Sequence, residues 1–132
     1  MKKRIFVLLI AMIIALGAVE VASAEIKINF TFTNFSETID TSTGRVTKDA
    51  GSYYVVLNSS STVASNNVFG FRARNAETGA KISSYRTMDY VGKKTVSYSS
   101  SVKEDDRVYF KCKKDDSSTY GGPLNACGYF QP

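Results

Sequence analysis

The chain contains no histidine and no tryptophan, and only two cysteines among its 132 residues. Without histidine the commonest general base is missing, so a hydrolase would have to work through carboxylates, a lysine or a bound metal. Two cysteines with no histidine do not make the usual four-ligand zinc site unless carboxylates complete it. The eight tyrosines invite a sugar-binding reading, but no tryptophan joins them, and Tyr53, Tyr98 and Tyr129 serve equally well as core or edge residues. Beyond residue 25 no apolar residues recur at helical spacing for a dozen positions, and there is no internal repeat or domain linker. These absences predict a non-enzymatic β protein with no cofactor and no metal.

The N-terminus carries the one long apolar run. Lys2, Lys3 and Arg4 precede an almost purely apolar stretch from Ile5 to Val19, and Ala22, Ser23 and Ala24 stand just before Glu25. A charged, then apolar, then small-residue order is what signal peptidase reads, so residues 1–24 are expected to be a helical signal peptide cleaved after about Ala24 and the protein to be secreted. The alternative is a membrane anchor, because the run approaches the roughly 20 residues a spanning helix needs; Gly17 and Glu20 interrupt it. Of the 17 basic and 12 acidic residues, three and one lie in this segment, which leaves 14 against 11, a balance of +3. That does not call for nucleic acid, whose recognition needs clustered cations. In an exported compartment Cys112 and Cys127 are expected to form a disulfide, the alternatives being two free thiols or a metal site. A loop of that size would remove roughly 3 kcal/mol of unfolded-state freedom.

Residues 25–132 read as one disulfide-closed β domain. Ile26, Ile28, Phe30 and Phe32 alternate with Lys27, Asn29, Thr31 and Thr33, the period of a half-buried strand. Thr41–Gly44 and Lys48–Gly51 read as turns. Tyr53–Leu57 is apolar on both faces and reads as a central strand covered on both sides. Asn58–Asn67 is loop by composition. Val68–Asn75 places Phe69, Phe71 and Ala73 inward and Arg72 and Arg74 outward, and Ala76–Gly79 closes a hairpin onto a strand through Ile82 and Tyr85. Further strands fit Thr95–Tyr98, Arg107–Lys113 and Ala126–Phe130, the last two joined across the Gly121, Gly122, Pro123 turn. The expectation is an all-β fold, a small antiparallel β-sandwich or barrel of about six to seven strands.

Arg107, Tyr109, Lys111 and Lys113 share the face of their strand opposite Val108, Phe110 and Cys112, with Lys93, Lys94, Lys103 and Lys114 as possible neighbours. A basic stripe holding an aromatic can grip an anionic cell-wall polymer or a membrane surface; the plain alternative is the polar outer face of any sandwich strand. Glu104, Asp105 and Asp106, and Asp115 and Asp116, read as solvated turns without the alternating pattern of a calcium loop. An enzyme would need acids such as Asp89, Asp105 and Asp115 to converge. Asn29, Asn34 and Asn58 match the N-glycosylation pattern, which matters only in a eukaryotic secretory pathway.

A short basic signal, the aromatic first strand (Ile28, Phe30, Phe32), the run Lys48, Asp49, Ser52, Tyr53, Tyr54, Val55 and the ending Ala126, Gly128, Phe130, Pro132 resemble the layout of small secreted proteins of Gram-positive bacteria grouped as a domain of unknown function. That likeness implies an exported β domain and brings no catalytic residues. The exported, tyrosine-bearing character is also similar to bacteriocins of the lactococcin type, although this chain is longer, lacks tryptophan and has a cysteine pair. The leading expectation is a secreted domain that binds a partner at the cell envelope: an anionic wall polymer, a membrane surface or a protein. The alternative is a secreted antimicrobial or toxin-like protein.

Overall fold

Alternating burial, strand by strand, builds two antiparallel sheets whose apolar faces meet. The computed structural model describes residues 25–46 and 51–132. The signal-peptide reading of 1–24 with its anchor alternative, and the Lys48–Gly51 turn except for Gly51, lie outside the described residues. The strands are β1 (Ile26–Phe32), β2 (Thr38–Asp40), β3 (Gly44–Arg45), β4 (Ser52–Leu57), β5 (Phe69–Asn75), β6 (Arg86–Met88), β7 (Gly92–Ser97), β8 (Arg107–Lys114) and β9 (Leu124–Gln131). The first sheet has the order β1-β9-β4-β7; the second runs β2-β8-β5-β6, with the two-residue β3 also pairing β8. The fold is an all-β sandwich. It exceeds the expected six or seven strands because β2, β3 and β6 have only two or three residues each, too few to show a period.

The aromatic residues of the two inner faces interlock between the sheets. Phe110 of β8 stacks on Phe130 of β9 with ring centroids 3.9 Å apart. Phe71 of β5 meets Phe130 edge-on at 5.7 Å, and Tyr53 of β4 lies 4.9 Å from Phe110. Complete burial of each such ring contributes about 1.5–3 kcal/mol. The Tyr53 hydroxyl is satisfied inside this core by Ser83, 3.0 Å away, whose oxygen also accepts from the Ala73 amide. Burial pushes the Tyr53 phenol up to about 12, so it stays neutral at any ordinary pH.

Two expectations are corrected. Tyr53–Leu57 is a central strand but is not covered on both sides: Tyr53, Val55 and Leu57 are buried, while Tyr54 and Val56 are only half-buried on the outer face. There the Tyr54 ring meets Tyr129 edge-on at 6.2 Å, and the Lys93 ammonium sits 3.9 Å from its centroid. Aromatic contact and a charge over the ring replace the missing second layer.

The disulfide is the other correction, since Cys112 and Cys127 are both free thiols. β8 and β9 belong to different sheets, and the 115–123 connection crosses from one layer to the other. Cys112 shares the inward face of β8 with Val108 and Phe110, whereas Cys127 falls between the buried positions Ala126 and Phe130 and turns outward. Its Sγ lies 3.7 Å from Asn29 Oδ1 on the neighbouring strand. A bond would require one strand to slip by a residue and expose its whole apolar set. Burial also raises the Cys112 thiol well above its usual range, which suppresses the reactive thiolate. Native, unreduced protein should therefore take up one alkylating group, at Cys127, and a second only after denaturation; intact-mass measurement checks this.

Candidate functional site

The second sheet turns a cationic outer face to solvent. On β8 the odd-numbered positions Arg107, Tyr109, Lys111 and Lys113 all lie on the outer side, as their spacing requires. Adjacent β5 contributes Arg72 and Arg74, so antiparallel pairing sets Arg72 opposite Lys111 and Arg74 opposite Tyr109. Like charges placed directly across a strand pair are destabilising. An anion bound between them would remove that repulsion.

Arg72, Arg74, Lys111 and Lys113, with Thr38 and Tyr85, border a depression of about 170 Å³. The geometry is held from beneath. Gly70 on β5 has no side chain, and the Tyr85 ring lies across its place; a Cβ there would overlap the ring and hydroxyl. The Tyr85 hydroxyl donates to Asp115 Oδ2 at 2.6 Å, which pins the ring, and the Arg72 guanidinium rests 5.8 Å from the ring centroid. Arg74 Nη1 donates to the Gly79 carbonyl at 2.9 Å. The buried Nε atoms of both arginines have no hydrogen-bond partner among the described residues. Acids stand only at the margins: Asp40 lies 3.9 Å from Lys111, and Asp116 lies 2.9 Å from Lys113. Exposed pairs of this kind contribute about 0–1 kcal/mol each and leave the ammonium groups available.

Electrostatics at the rim follow from the same contacts. Burial pushes the Tyr85 phenol up, and the Asp115 carboxylate beside it adds to the effect. Partial burial would raise Asp115, but hydrogen bonds from Ser117 and Tyr85 outweigh it and hold the carboxyl below its usual range. Tyr85 is thus a fixed neutral donor and Asp115 a fixed anion.

The remaining candidates fall elsewhere. Lys114 points into the sandwich and is 1% exposed. Lys93 and Lys94 lie on β7 of the other sheet, where Lys94 Nζ donates to the Thr87 carbonyl at 2.6 Å. Lys103 sits in the turn before β8, its amide bonded to Asp106. Asp105 and Asp115 flank β8 at opposite ends, and eight residues at about 3.3 Å each place them on the order of 25 Å apart, so Asp89, Asp105 and Asp115 do not meet at one point. The three asparagines of the glycosylation patterns make local contacts: Asn34 accepts from Ser36 and Glu37, Asn58 from Ser60, and Asn29 faces Cys127. Arg72 and Arg74 read as outward from the sequence, yet only strand pairing joins them to the β8 stripe. Thr38 carried no signal of its own, and Tyr85 was read only as part of a strand through Ile82 and Tyr85, where the structure has isolated bridges at Lys81 and Ser83 and begins β6 at Arg86.

No protein-family model matches the chain, and no curated protein matches it significantly.

Proposed function

We propose that the chain is a secreted, non-enzymatic β domain that binds a phosphate-bearing anionic polymer of the cell envelope through the outer face of its second sheet. The observation that carries this reading is the clustering of Arg72, Arg74, Lys111 and Lys113 around one depression, with two buried arginine Nε atoms left without partners. Arginine presents a planar fork matched to phosphate oxygens, and lysine adds a mobile point charge. The strands supply a rigid, flat backing along which an extended polymer can lie. The order of residues 1–24 and the likeness in layout to small secreted proteins of Gram-positive bacteria support the exported setting.

Co-sedimentation of the purified protein with isolated cell walls across a salt series tests the proposal. Binding is expected at low ionic strength and should weaken steadily as salt screens it. Charge reversal at Lys111→Glu with Lys113→Glu should reduce it on the order of tenfold or more. Absence of binding at low salt, or binding indifferent to both salt and the double reversal, is incompatible with the proposal. Retention on anionic vesicles but not on walls overturns the choice of a polymer.

A further inference from the structure

A second concavity, of about 260 Å³, is lined by Thr62, Asn66, Asn67, Tyr120, Pro123 and Asn125. Among the described residues it shares none with the cationic face, and no charged side chain lines it. Two loops build it, 58–67 and 115–123, and they are bonded firmly to each other. The amides of Thr119 and Tyr120 donate to the Asn66 carbonyl at 3.0 and 2.8 Å. Asn67 Nδ2 spans the loops, donating to the Thr62 carbonyl at 3.1 Å and to the Pro123 carbonyl at 3.3 Å. Thr62 is tied to β9 through the Asn125 backbone, with both bonds at 2.9 Å. A cleft held this way keeps its shape without a ligand, which lowers the ordering cost of binding one.

Its chemistry is selective. Asn67 is 2% exposed, yet its Oδ1 has no hydrogen-bond partner among the described residues. A buried acceptor left unpaired costs about 1–3 kcal/mol, so the fold retains a demand for a donor at this point. Tyr120 is 47% exposed. Together with Pro123 it gives the cleft a flat apolar wall, while the Asn66 amide, the unpaired Asn67 Oδ1, the Asn125 Nδ2 and the Thr62 hydroxyl proton offer donors and acceptors. A flat C–H face beside a rim of hydroxyls is the matching shape, and that describes a pyranose ring. The volume lies below the roughly 300–1,000 Å³ of sites for drug-sized ligands and suits a single ring. A bound peptide would look for an open sheet edge or a charge; these two loops offer neither.

We propose that this cleft is a binding site for a neutral sugar residue, stacked on Tyr120 and hydrogen-bonded to Asn67, Asn66 and Asn125. The site is independent of the cationic face, and either can fail without the other.

The test is titration of the full chain, labelled with nitrogen-15, with two neutral probes, an N-acetylglucosamine trimer and a glucose trimer. At least one should give saturable shifts of the Asn67 and Asn125 side-chain amides. Tyr120→Ala should weaken that binding about tenfold, the worth of a good stacking contact, while Tyr120→Phe retains it. Lys111→Glu, at a residue whose ion pair runs to Asp40 and to neither loop, should bind the same probe unchanged. Absence of saturable shifts with both trimers overturns the proposal. So does binding that survives Tyr120→Ala undiminished with the native amide spectrum preserved, or that disappears in Lys111→Glu.

Discussion

Gly128→Ala is expected to lower the melting temperature of the protein by roughly 15 °C or more. Gly128 lies in β9, the strand between β1 and β4, opposite Ile28 on one side and Leu57 on the other. Its φ is +153°, a conformation that side chains rarely adopt. A Cβ at this position would overlap the Val56 carbonyl oxygen, a backbone atom of the adjoining strand that cannot swing away as a side chain could. Backbone strain contributes about 1–3 kcal/mol, and the shift needed to separate the strands contributes about 1–3 kcal/mol more. Total stabilities run to about 5–15 kcal/mol, so the sum is a large fraction. Gly121→Ala is the control, since a Cβ there meets nothing within 4 Å and the backbone is ordinary. Thermal unfolding followed by circular dichroism separates the two. A Gly128→Ala midpoint within a few degrees of the parent would mean that β9 and β4 can part without loss.

Strand existence was legible wherever the period ran for six residues or more. The alternation at Ile26–Phe32 and Arg107–Lys114 appears in the structure almost to the residue. β2 and β3 were not legible because their pairing with β8 comes from the partner; Thr41, in the bulge between them, accepts the Phe110 amide on its hydroxyl at 2.9 Å. The disulfide expectation failed on information already present. Period two along β9 puts Cys127 out of step with Ala126 and Phe130, and along β8 it puts Cys112 in step with Phe110. The compartment argument for a bond ignored that parity.

The candidate site was half legible for a related reason. Each of its two strands announces its outward cations, but which strands are neighbours is a property of the whole topology, and β5 and β8 are 31 residues apart from Asn75 to Arg107 along the chain before they pair. The cleft at Tyr120 was not legible at all. Its walls come from two polar loops whose Asn, Ser, Thr and Gly content reads as mere turn chemistry. The bonds from Thr119 and Tyr120 to Asn66, and from Asn67 to the Pro123 carbonyl, show that the loops are one structure.

Lys114 connects these threads, and Lys114→Met is expected to destabilise the protein by about 2–4 kcal/mol, a fall of roughly 10–20 °C in melting temperature. Charge suggests a place in the outward stripe, but its even position on β8 puts it on the inner side with Val108, Phe110 and Cys112. It is 1% exposed, and none of the described carboxylates pairs with it. Its ammonium instead donates to the carbonyls of Tyr120 and Gly122, both at 2.6 Å, and lies 4.9 Å from the Phe35 ring and 5.5 Å from the Tyr120 ring. Methionine keeps the length of the stem and relieves the cost of burying a charge, but it leaves two carbonyls without a donor, at about 1–3 kcal/mol each. The loss should be local before it is global. Hydrogen exchange should speed up first at the amides of Thr119 and Tyr120, which hold the 115–123 loop against Asn66. Affinity for the neutral trimer should fall with it, because the ring that forms the wall of the cleft is carried by the carbonyls Lys114 holds. A Lys114→Met protein as stable as the parent, with unchanged exchange at Thr119 and Tyr120, would show that the ammonium costs as much to bury as its two bonds return.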